Sequence, residues 1–489
     1  MKSATIKLEC RLLTAMTLLL CSQLTGFAQT ASVAVLHNFV GGDADGATPT
    51  APIVKGADGN YYGTTEYGGT ADKGTFYRMS PSGGVTVLHS FGSVPNDGLS
   101  PVGPPILASD GSFYGTTAEG GTGSNGGTVY KVTAAGDLTI LHNFGAAHTK
   151  GIDPAGGLVQ ARDGNLYGVT LFGGSNFLSG TLFSVSTAGV FTTWHVFPSG
   201  SFPAAHPTMG RDGALYGVTV QGGTANAGVI YKLIPGHNFT VVHSFSGSDG
   251  GYPNGPLLLG ADGLLYGTTS ADANDGQNPH GTVFQYTPGG SLNVIHAFPS
   301  TPPVDINPIG PLVQAPSGVF FGVTRASGQG QDSMFSFTNS SDFKNIFLFT
   351  KADIYAPFLS NVRADGAIYG LSTAGGTDQR GTAFLVSNAT SEAAAYFLIS
   401  SPRNVTTGTP FNFTVTALDQ SGNPATGYSG TVQFYSNTSH ISLPANSTLT
   451  NGAGTFSATV TANVSCKISA IDVANASVHG TSVLVTSGP

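Results

Sequence analysis

Apolar and polar residues alternate along most of this chain in short runs that are separated by Gly, Asn, Asp and Ser. Residues 138–144 alternate with a period of two, as expected of a strand with one buried face. Runs such as 157–160, 166–170 and 181–185 are interpreted as further short strands of the same unit. The pattern predicts an all-β protein made of many short strands.

One unit of about 50 residues recurs seven times, and each unit contains four predicted strands, A to D. An Asp-Gly hairpin turn joins A to B, and B carries a Tyr-Gly pair. The Asp and Tyr of successive units are Asp58 and Tyr62, Asp110 and Tyr114, Asp163 and Tyr167, Asp212 and Tyr216, Asp262 and Tyr266, then Ser317 and Phe321, and Asp365 and Tyr369. Four strands per unit of this length predict a seven-bladed β-propeller over residues 29–390.

The phase of the repeat predicts how the ring closes. Residues 33–39 form a lone D-type strand, and the seventh A-B-C set ends near Ser387 without a D strand. We therefore expect the N-terminal strand to complete the seventh blade, which would leave no open edge between the ends of the ring.

A different pattern follows from residue 391 onward. Short alternating strands are predicted at 411–417, 431–435, 454–460, 467–471 and 482–485. This spacing predicts an immunoglobulin-like β-sandwich over residues 391–489. Cys466 is the one cysteine beyond residue 28, so packing without an internal disulfide must hold this module together.

The first 28 residues have the pattern of a secretory signal, with Lys2, Lys7 and Arg11 before an apolar stretch at 12–21. Small residues at Gly26 and Ala28 predict cleavage after Ala28, and hence a protein that is secreted or held at the cell surface. No later segment is apolar and long enough to predict a membrane span. We expect a monomer.

Composition narrows the possible partners. Charged residues make up only 9% of the chain, against about 25% in an average domain, which argues against a coiled coil. Hydrophobic residues make up 40%, which argues against intrinsic disorder. The net charge is −8 and no basic cluster is present, so a nucleic-acid partner is not expected.

The seven Asp-Gly/Tyr-Gly units, the Gly-Gly and Gly-Thr-Val-Tyr stretches and the His-x-Phe strands carry a family resemblance. Over residues 33–387 the chain resembles bacterial exported proteins called choice-of-anchor tandem repeat GloVer-containing proteins. The remainder resembles a bacterial Ig-like domain found in surface proteins. The resemblance implies architecture and location, and no established activity.

Recurring residues are interpreted as structural. Six His-x-Phe pairs contain His37, His89, His142, His195, His243 and His296. Because a catalytic histidine acts at one place, six equivalent copies favour packing beside Phe. The recurring Tyr is interpreted as core and the recurring Asp as a turn residue. Residues 43–46 and 272–276 are richer in carboxylates and are kept as weak calcium candidates, although they lack the Glu of a calcium loop. Apart from these, neither a metal nor a cofactor is expected.

Variable positions are the better candidates for a site. The D–A and B–C loops, which lie on one face of a propeller, differ from unit to unit, and binding residues concentrate on such loops. The alternative is ordinary loop variation. The candidates for ligand binding are Glu66, Tyr67, Glu119, Phe172, Gln221 and Arg325.

Three functions are compatible with these features. The leading hypothesis is a non-catalytic binding or structural protein, with an extracellular glycan or a surface protein as its partner and the Ig-like module as a spacer. A second is a polysaccharide hydrolase or lyase, for which Glu66 and Glu119 would be the carboxylate pair. A third is adhesion through the Ig-like module.

Overall fold

The computed structural model describes the chain in segments between Ser32 and Gly488. These are residues 32–122, 125–145, 149–154, 156–175, 177–203, 205–270, 281–298, 307–325, 331–338, 342–350, 352–387, 394–418, 424–425, 428–450, 452–482 and 485–488. Within these segments every regular element is a β-strand, as the alternating pattern predicts. None of the described segments contains a helix that could cross a membrane.

Residues 32–387 form seven antiparallel four-stranded sheets, numbered here 1 to 7 in chain order of strand B. The strands of sheets 1 to 3 are Val54–Lys55, Tyr61–Thr65, Thr75–Met79 and Val85–Ser90; Ile106–Leu107, Phe113–Thr117, Thr128–Val132 and Leu138–Asn143; and Leu158–Gln160, Leu166–Thr170, Thr181–Val185 and Phe191–Val196. Those of sheets 4 and 5 are Thr208–Met209, Leu215–Thr219, Val229–Leu233 and Phe239–Ser244; and Leu258–Leu259, Leu265–Thr269, Thr282–Thr287 and Ser291–Ala297. Those of sheets 6 and 7 are Pro308–Gln314, Phe320–Thr324, Ser333–Phe337 and Lys344–Leu348; and Tyr355–Val362, Ile368–Ala374, Thr382–Ser387 and Ser32–Asn38.

The N-terminal strand belongs to the last sheet. Ser32–Asn38 pairs antiparallel with Thr382–Ser387, with Val33 opposite Val386 and Asn38 opposite Thr382. This pairing is the one that the phase of the repeat predicts. It supplies sheet 7 with its outer strand from the opposite end of the repeat region.

Each sheet packs against the next through a cluster of buried side chains. Tyr62 of sheet 1 lies 4.2 Å from Phe113 of sheet 2 between ring centres. Sheet 7 packs in the same way on sheet 1, where Tyr369 and Tyr61 are 4.4 Å apart. The backbone N–H of Ile53 also donates to the Ser360 hydroxyl across this boundary. The last sheet is therefore packed against the first.

The Gly of each Tyr-Gly pair makes room for an aromatic ring on strand C. Gly115 lies opposite Tyr130 in the sheet, and a methyl group on Gly115 would collide with that ring. The same cross-strand pair recurs in every sheet, with Tyr or Phe as the aromatic partner. Gly is required here because the core is filled by the residue opposite it.

The recurring Tyr and Asp are structural, as predicted, and they also bind each other. The Tyr114 hydroxyl donates to Asp110 over 2.7 Å, while the second oxygen of Asp110 accepts the backbone N–H of Ser112. The same pair forms in sheets 1, 3, 4 and 5. One carboxylate therefore shapes the A–B turn and satisfies a buried hydroxyl.

The described residues of the C-terminal module form eleven strands in three sheets. Their order is Tyr396–Ser400, Pro410–Leu418, Ala453–Val460 and Ile441–Ser442; Asn404–Thr406, Val485–Gly488 and Ser465–Cys466; and Ser447–Thr448, Thr431–Ser436, Ile468–Asp472 and His479–Thr481. Phe413 of the first of these sheets contacts Phe434 of the last in the core of the module. The strand predicted at 482–485 is wrong in its bounds, because the chain forms separate strands on either side of Ser482.

Candidate functional site

Extra strand pairing orders the loops at one end of sheets 1 to 3. In sheet 1, Gly46–Ala47 of the D–A loop pairs with Tyr67–Gly68 of the B–C loop, so that Ala47 faces Tyr67. In sheet 2, Gly98–Leu99 pairs with Glu119–Gly120 and Leu99 faces Glu119. In sheet 3, a single bridge joins Ile152 to Phe172. Tyr67, Glu119 and Phe172 thus occupy equivalent positions, as their place in the repeat predicts.

A threonine at the end of strand B holds each of these residues. The Thr117 hydroxyl donates to the carbonyl of Glu119 over 2.8 Å. Thr65, Thr170 and Thr219 do the same for Tyr67, Phe172 and Gln221. Because the backbone is fixed in the same way in each sheet, the sheets differ here chiefly in the side chain that they present.

The D–A loops are anchored by histidines of strand D. Nε2 of His89 lies 3.0 Å from a carboxylate oxygen of Asp97, whose side chain is fully buried. Asp97 also accepts the backbone N–H groups of Gly92 and Gly98. His37 with Asp45 and His243 with Asp249 form the same contact. In sheets 1 and 2 the histidine–Asp contact therefore positions the D–A loop that pairs with the candidate residues Tyr67 and Glu119.

The other three histidines stack on a phenylalanine of the following sheet. His142 lies 3.9 Å from Phe191 with an interplanar angle of 12°. His195 on Phe239 and His296 on Phe343 have the same arrangement. In the other cases the following sheet has an aliphatic residue in place of this phenylalanine, and the histidine binds an Asp instead. An example is Leu138 of sheet 2, the sheet that follows sheet 1. All six histidines also contact the Phe two residues later, as predicted.

A second set of variable positions precedes a proline in every D–A loop, and it was not among the sequence-based candidates. These residues have positive φ, between 49° and 64°, and they are Thr48, Ser100, Asp153, Phe202, Tyr252, Asn307 and Ala356. A non-glycine residue in this conformation costs about 1–2 kcal/mol. Six of their carbonyls accept an N–H from the residue that follows strand B, as Asp153 does from Leu171. The recurring Pro is the signal that could have revealed them.

Acidic groups of sheets 1 to 3 act on their neighbours electrostatically. The neighbouring Glu66 carboxylate raises the pKa of Tyr67, and the charge of Glu119 adds to the effect. Burial raises the pKa of Asp153, and the charge of Glu119 again contributes. Glu119 thus acts electrostatically on both neighbouring sheets. We call Glu66, Tyr67, Glu119, Asp153, Phe172 and Phe177, which stacks on Phe172, the rim.

Aromatic rings continue the rim around sheet 3. Phe172 is half-buried and stacks on Phe177, with 5.3 Å between ring centres and 16° between planes. Phe202 approaches Phe172 edge-on at 6.1 Å. Phe177 is 55% exposed and Tyr67 is 44% exposed. The rim therefore offers two accessible aromatic surfaces on either side of carboxylates.

The remaining candidates lie further round the ring. Gln221 is at the equivalent position of sheet 4, where its N–H donates to the carbonyl of Ser201. Arg325 follows strand B of sheet 6 and is exposed, and its N–H donates to the carbonyl of Asn307. Sheet 7 lies between Arg325 and Glu66. The structure thus groups Glu66, Tyr67, Glu119 and Phe172 and leaves Arg325 apart.

Among the residues with described positions, no group of three or more His, Cys, Asp or Glu side chains could hold a metal ion. Asp45, in the carboxylate-rich stretch 43–46, is already bound by His37 and by two backbone N–H groups. The second such stretch, 272–276, lies outside the described residues.

Family comparison agrees with the repeated architecture. The model of the Gloeobacter/Verrucomicrobia repeat matches residues 24–209 and again 197–384. The chain belongs to this repeat family. The two matches span the seven sheets, and neither reaches the C-terminal module. A comparison with curated proteins gives no match.

Solved structures with a related arrangement are distant. The extracellular domain of a hybrid two component system from B. thetaiotaomicron is 10% identical with a TM-score of 0.47, over 94% of this chain and 58% of that one. A PL25 ulvan lyase, a polysaccharide lyase, is 10% identical with a TM-score of 0.46, over 70% of this chain and 94% of that one. Hydrazine synthase of Kuenenia stuttgartiensis is 13% identical with a TM-score of 0.44, over 72% of this chain and 98% of that one. This chain thus spans less than two thirds of the first of these proteins.

Proposed function

We propose that this chain is an exported seven-bladed propeller, followed by an Ig-like spacer, that binds an extracellular glycan at the rim without catalysing its breakdown. The observation that carries the proposal is a recurring hydrogen bond from the threonine at the end of strand B. It holds the backbone in the same way at Tyr67, Glu119, Phe172 and Gln221. Different side chains on a uniform, rigid scaffold are typical of a binding surface. The basic, apolar and small-residue pattern of residues 1–28 supports export.

The chemistry of the rim favours a neutral sugar. Exposed rings at Tyr67 and Phe177 can pack against the C–H face of a saccharide, while the carboxylates of Glu66 and Glu119 accept its hydroxyl hydrogens. An anionic polymer would be repelled by these carboxylates and by the net charge of −8. A neutral glycan is therefore the best match.

The architecture that we propose rests on two features of packing. Ser32–Asn38 completes sheet 7, and Tyr369 of that sheet packs on Tyr61 of sheet 1, as in a closed propeller. In the C-terminal module, two sheets meet over a core that includes Phe413 and Phe434, as in an Ig-like sandwich.

A glycan array probed with the full chain tests this function, followed by titration of the best ligand against variants. Phe177→Ala and Glu119→Gln should each weaken binding by about tenfold, because central aromatic and charged contacts dominate such sites. Val190→Ala is the matched control, since Val190 is an exposed apolar residue on a C–D turn at the opposite end of sheet 3. The proposal fails if no neutral glycan binds, or if the control weakens binding as much as the rim variants do.

One observation favours a second candidate, a polysaccharide hydrolase or lyase. Burial and the charge of Glu119 raise the pKa of Asp153, and a carboxyl group with a raised pKa that is influenced by a second carboxylate is suited to acid–base cleavage of a glycosidic bond. The chain would then release new chain ends from the bound glycan, and Glu119→Gln would abolish that release. The full chain would be incubated with each glycan that it binds on the array. This candidate is rejected if none of these incubations produces new chain ends.

A further inference from the structure

The first strands of the seven sheets surround a cavity of about 610 Å³ at the centre of the ring. Its walls are mainly aliphatic and proline side chains, among them Ile53, Val102, Pro104, Pro256, Leu257 and Pro311. The volume lies in the range of sites for compounds of drug size, about 300–1,000 Å³, which are also mostly apolar with few polar groups.

Most polar side chains in this wall are already bound by the protein. The Ser360 hydroxyl donates to the carbonyl of Ile53 over 3.1 Å and accepts the N–H of the same residue. The amide of Asn361 donates to that carbonyl as well. The Gln314 amide accepts from Ala261 and donates to Gly318, and the Thr50 hydroxyl donates to the carbonyl of Val102. These side chains therefore leave few hydrogen-bond donors or acceptors free for a ligand.

His206 is the exception. Its Nδ1 lies 3.1 Å from the carbonyl of Pro207, and because a carbonyl only accepts, the proton is on Nδ1. Burial lowers the pKa of His206, which keeps the ring neutral. Nε2 therefore carries a lone pair, and no group among the described residues donates to it. Asn254, on the D–A loop of the next sheet, is another polar residue that lines the cavity.

We infer that this central cavity binds a small, uncharged, mainly apolar compound that bears a hydroxyl group, with the hydroxyl donating to Nε2 of His206. The apolar wall takes the body of the compound, and the unsatisfied acceptor selects for a donor over a plain hydrocarbon. A charged compound is excluded because nothing in the wall neutralises it. This site is separate from the rim and does not depend on glycan binding.

Titration of the full chain with 2-naphthol and with naphthalene tests the inference. We expect saturable binding of both, with 2-naphthol about three- to tenfold tighter, as one hydrogen bond provides. His206→Leu should remove that difference and leave naphthalene binding unchanged, and His206→Gln, which keeps an acceptor, should restore part of it. Val102→Trp should fill the cavity and abolish binding of both compounds.

Phe177→Ala, a rim variant, is the control and should bind both compounds as the unaltered chain does. The inference is overturned if 2-naphthol does not saturate or if Val102→Trp binds it normally. It is also overturned if His206→Leu leaves the preference for 2-naphthol intact. Failure of glycan binding would leave these outcomes unchanged, so the two proposals are tested separately.

Discussion

Replacing His142 with phenylalanine should make the ring more resistant to acid. The His142 ring lies flat on Phe191 and edge-on to Phe144, and its Nε2 is buried with no partner among the described residues. Burial, with a smaller contribution from the charge of Lys150, lowers the pKa of His142 from 6.5 to about 4. Phe347 already occupies the equivalent position in sheet 6, so the substitution keeps the packing.

The direction of the effect follows from proton linkage. Above pH 6.5 the histidine is neutral in both the folded and the unfolded chain, so it adds no penalty. As the pH falls toward 4, the unfolded chain takes up the proton before the folded chain does, and stability is lost. The full shift would correspond to about 3 kcal/mol at 1.36 kcal/mol per pKa unit. Because the ring is only partly buried, we expect about 1–2 kcal/mol by pH 4.5.

Urea unfolding followed by the fluorescence of Trp194 measures this effect. Trp194 is the single tryptophan, and it lies in the same strand as Phe191. His142→Phe should exceed the unaltered chain in unfolding free energy by about 1 kcal/mol at pH 7.5, because it removes the unpartnered Nε2. At pH 4.5 the difference should be larger by a further contribution of about 1–2 kcal/mol from proton linkage. The matched variant His89→Phe leaves buried Asp97 without its histidine and should be destabilising at pH 7.5. Equal pH dependence in His142→Phe and the unaltered chain would refute the reasoning.

Three further changes test the packing of the ring. Tyr130→Phe removes a buried hydroxyl that has no partner among the described groups and should raise the unfolding free energy by about 1 kcal/mol, measured by urea unfolding. Gly115→Ala places a methyl group against the Tyr130 ring and should lower that free energy by about 1–3 kcal/mol in the same assay. Deleting Ser32–Asn38 leaves strand Thr382–Ser387 as an open edge, so light scattering should show aggregation, and a stable monomeric product would contradict the closed ring.

The sequence predicts the local structure well because the same pattern occurs in seven successive repeats. The strands of residues 32–387, the contact of each histidine with the next Phe and the pairing of the N-terminal strand all follow from alternation and phase. Tyr67 and Glu119 could be placed at equivalent positions for the same reason. Repetition turns weak short-range signals into strong ones.

Contacts between sheets could not be predicted in the same way. Whether a histidine binds Asp or stacks on Phe depends on a residue about 50 positions later, as Phe191 does for His142. The contribution of Asp153 to the rim likewise depends on Glu119 in the preceding sheet. The open acceptor of His206 becomes visible only when seven separate strands are brought around one cavity. Each of these features depends on residues that are neighbours in the folded structure but distant in the sequence.

Hydrogen–deuterium exchange of the full chain, with and without a bound neutral glycan, tests the central proposal most directly. The rim proposal predicts slower exchange in the B–C and D–A loops of sheets 1 to 3, around Tyr67, Glu119 and Asp153. It predicts no change in the A–B turns that contain Asp110 and Asp163. Protection confined to those turns or to residues 394–488 would contradict a binding site at the rim.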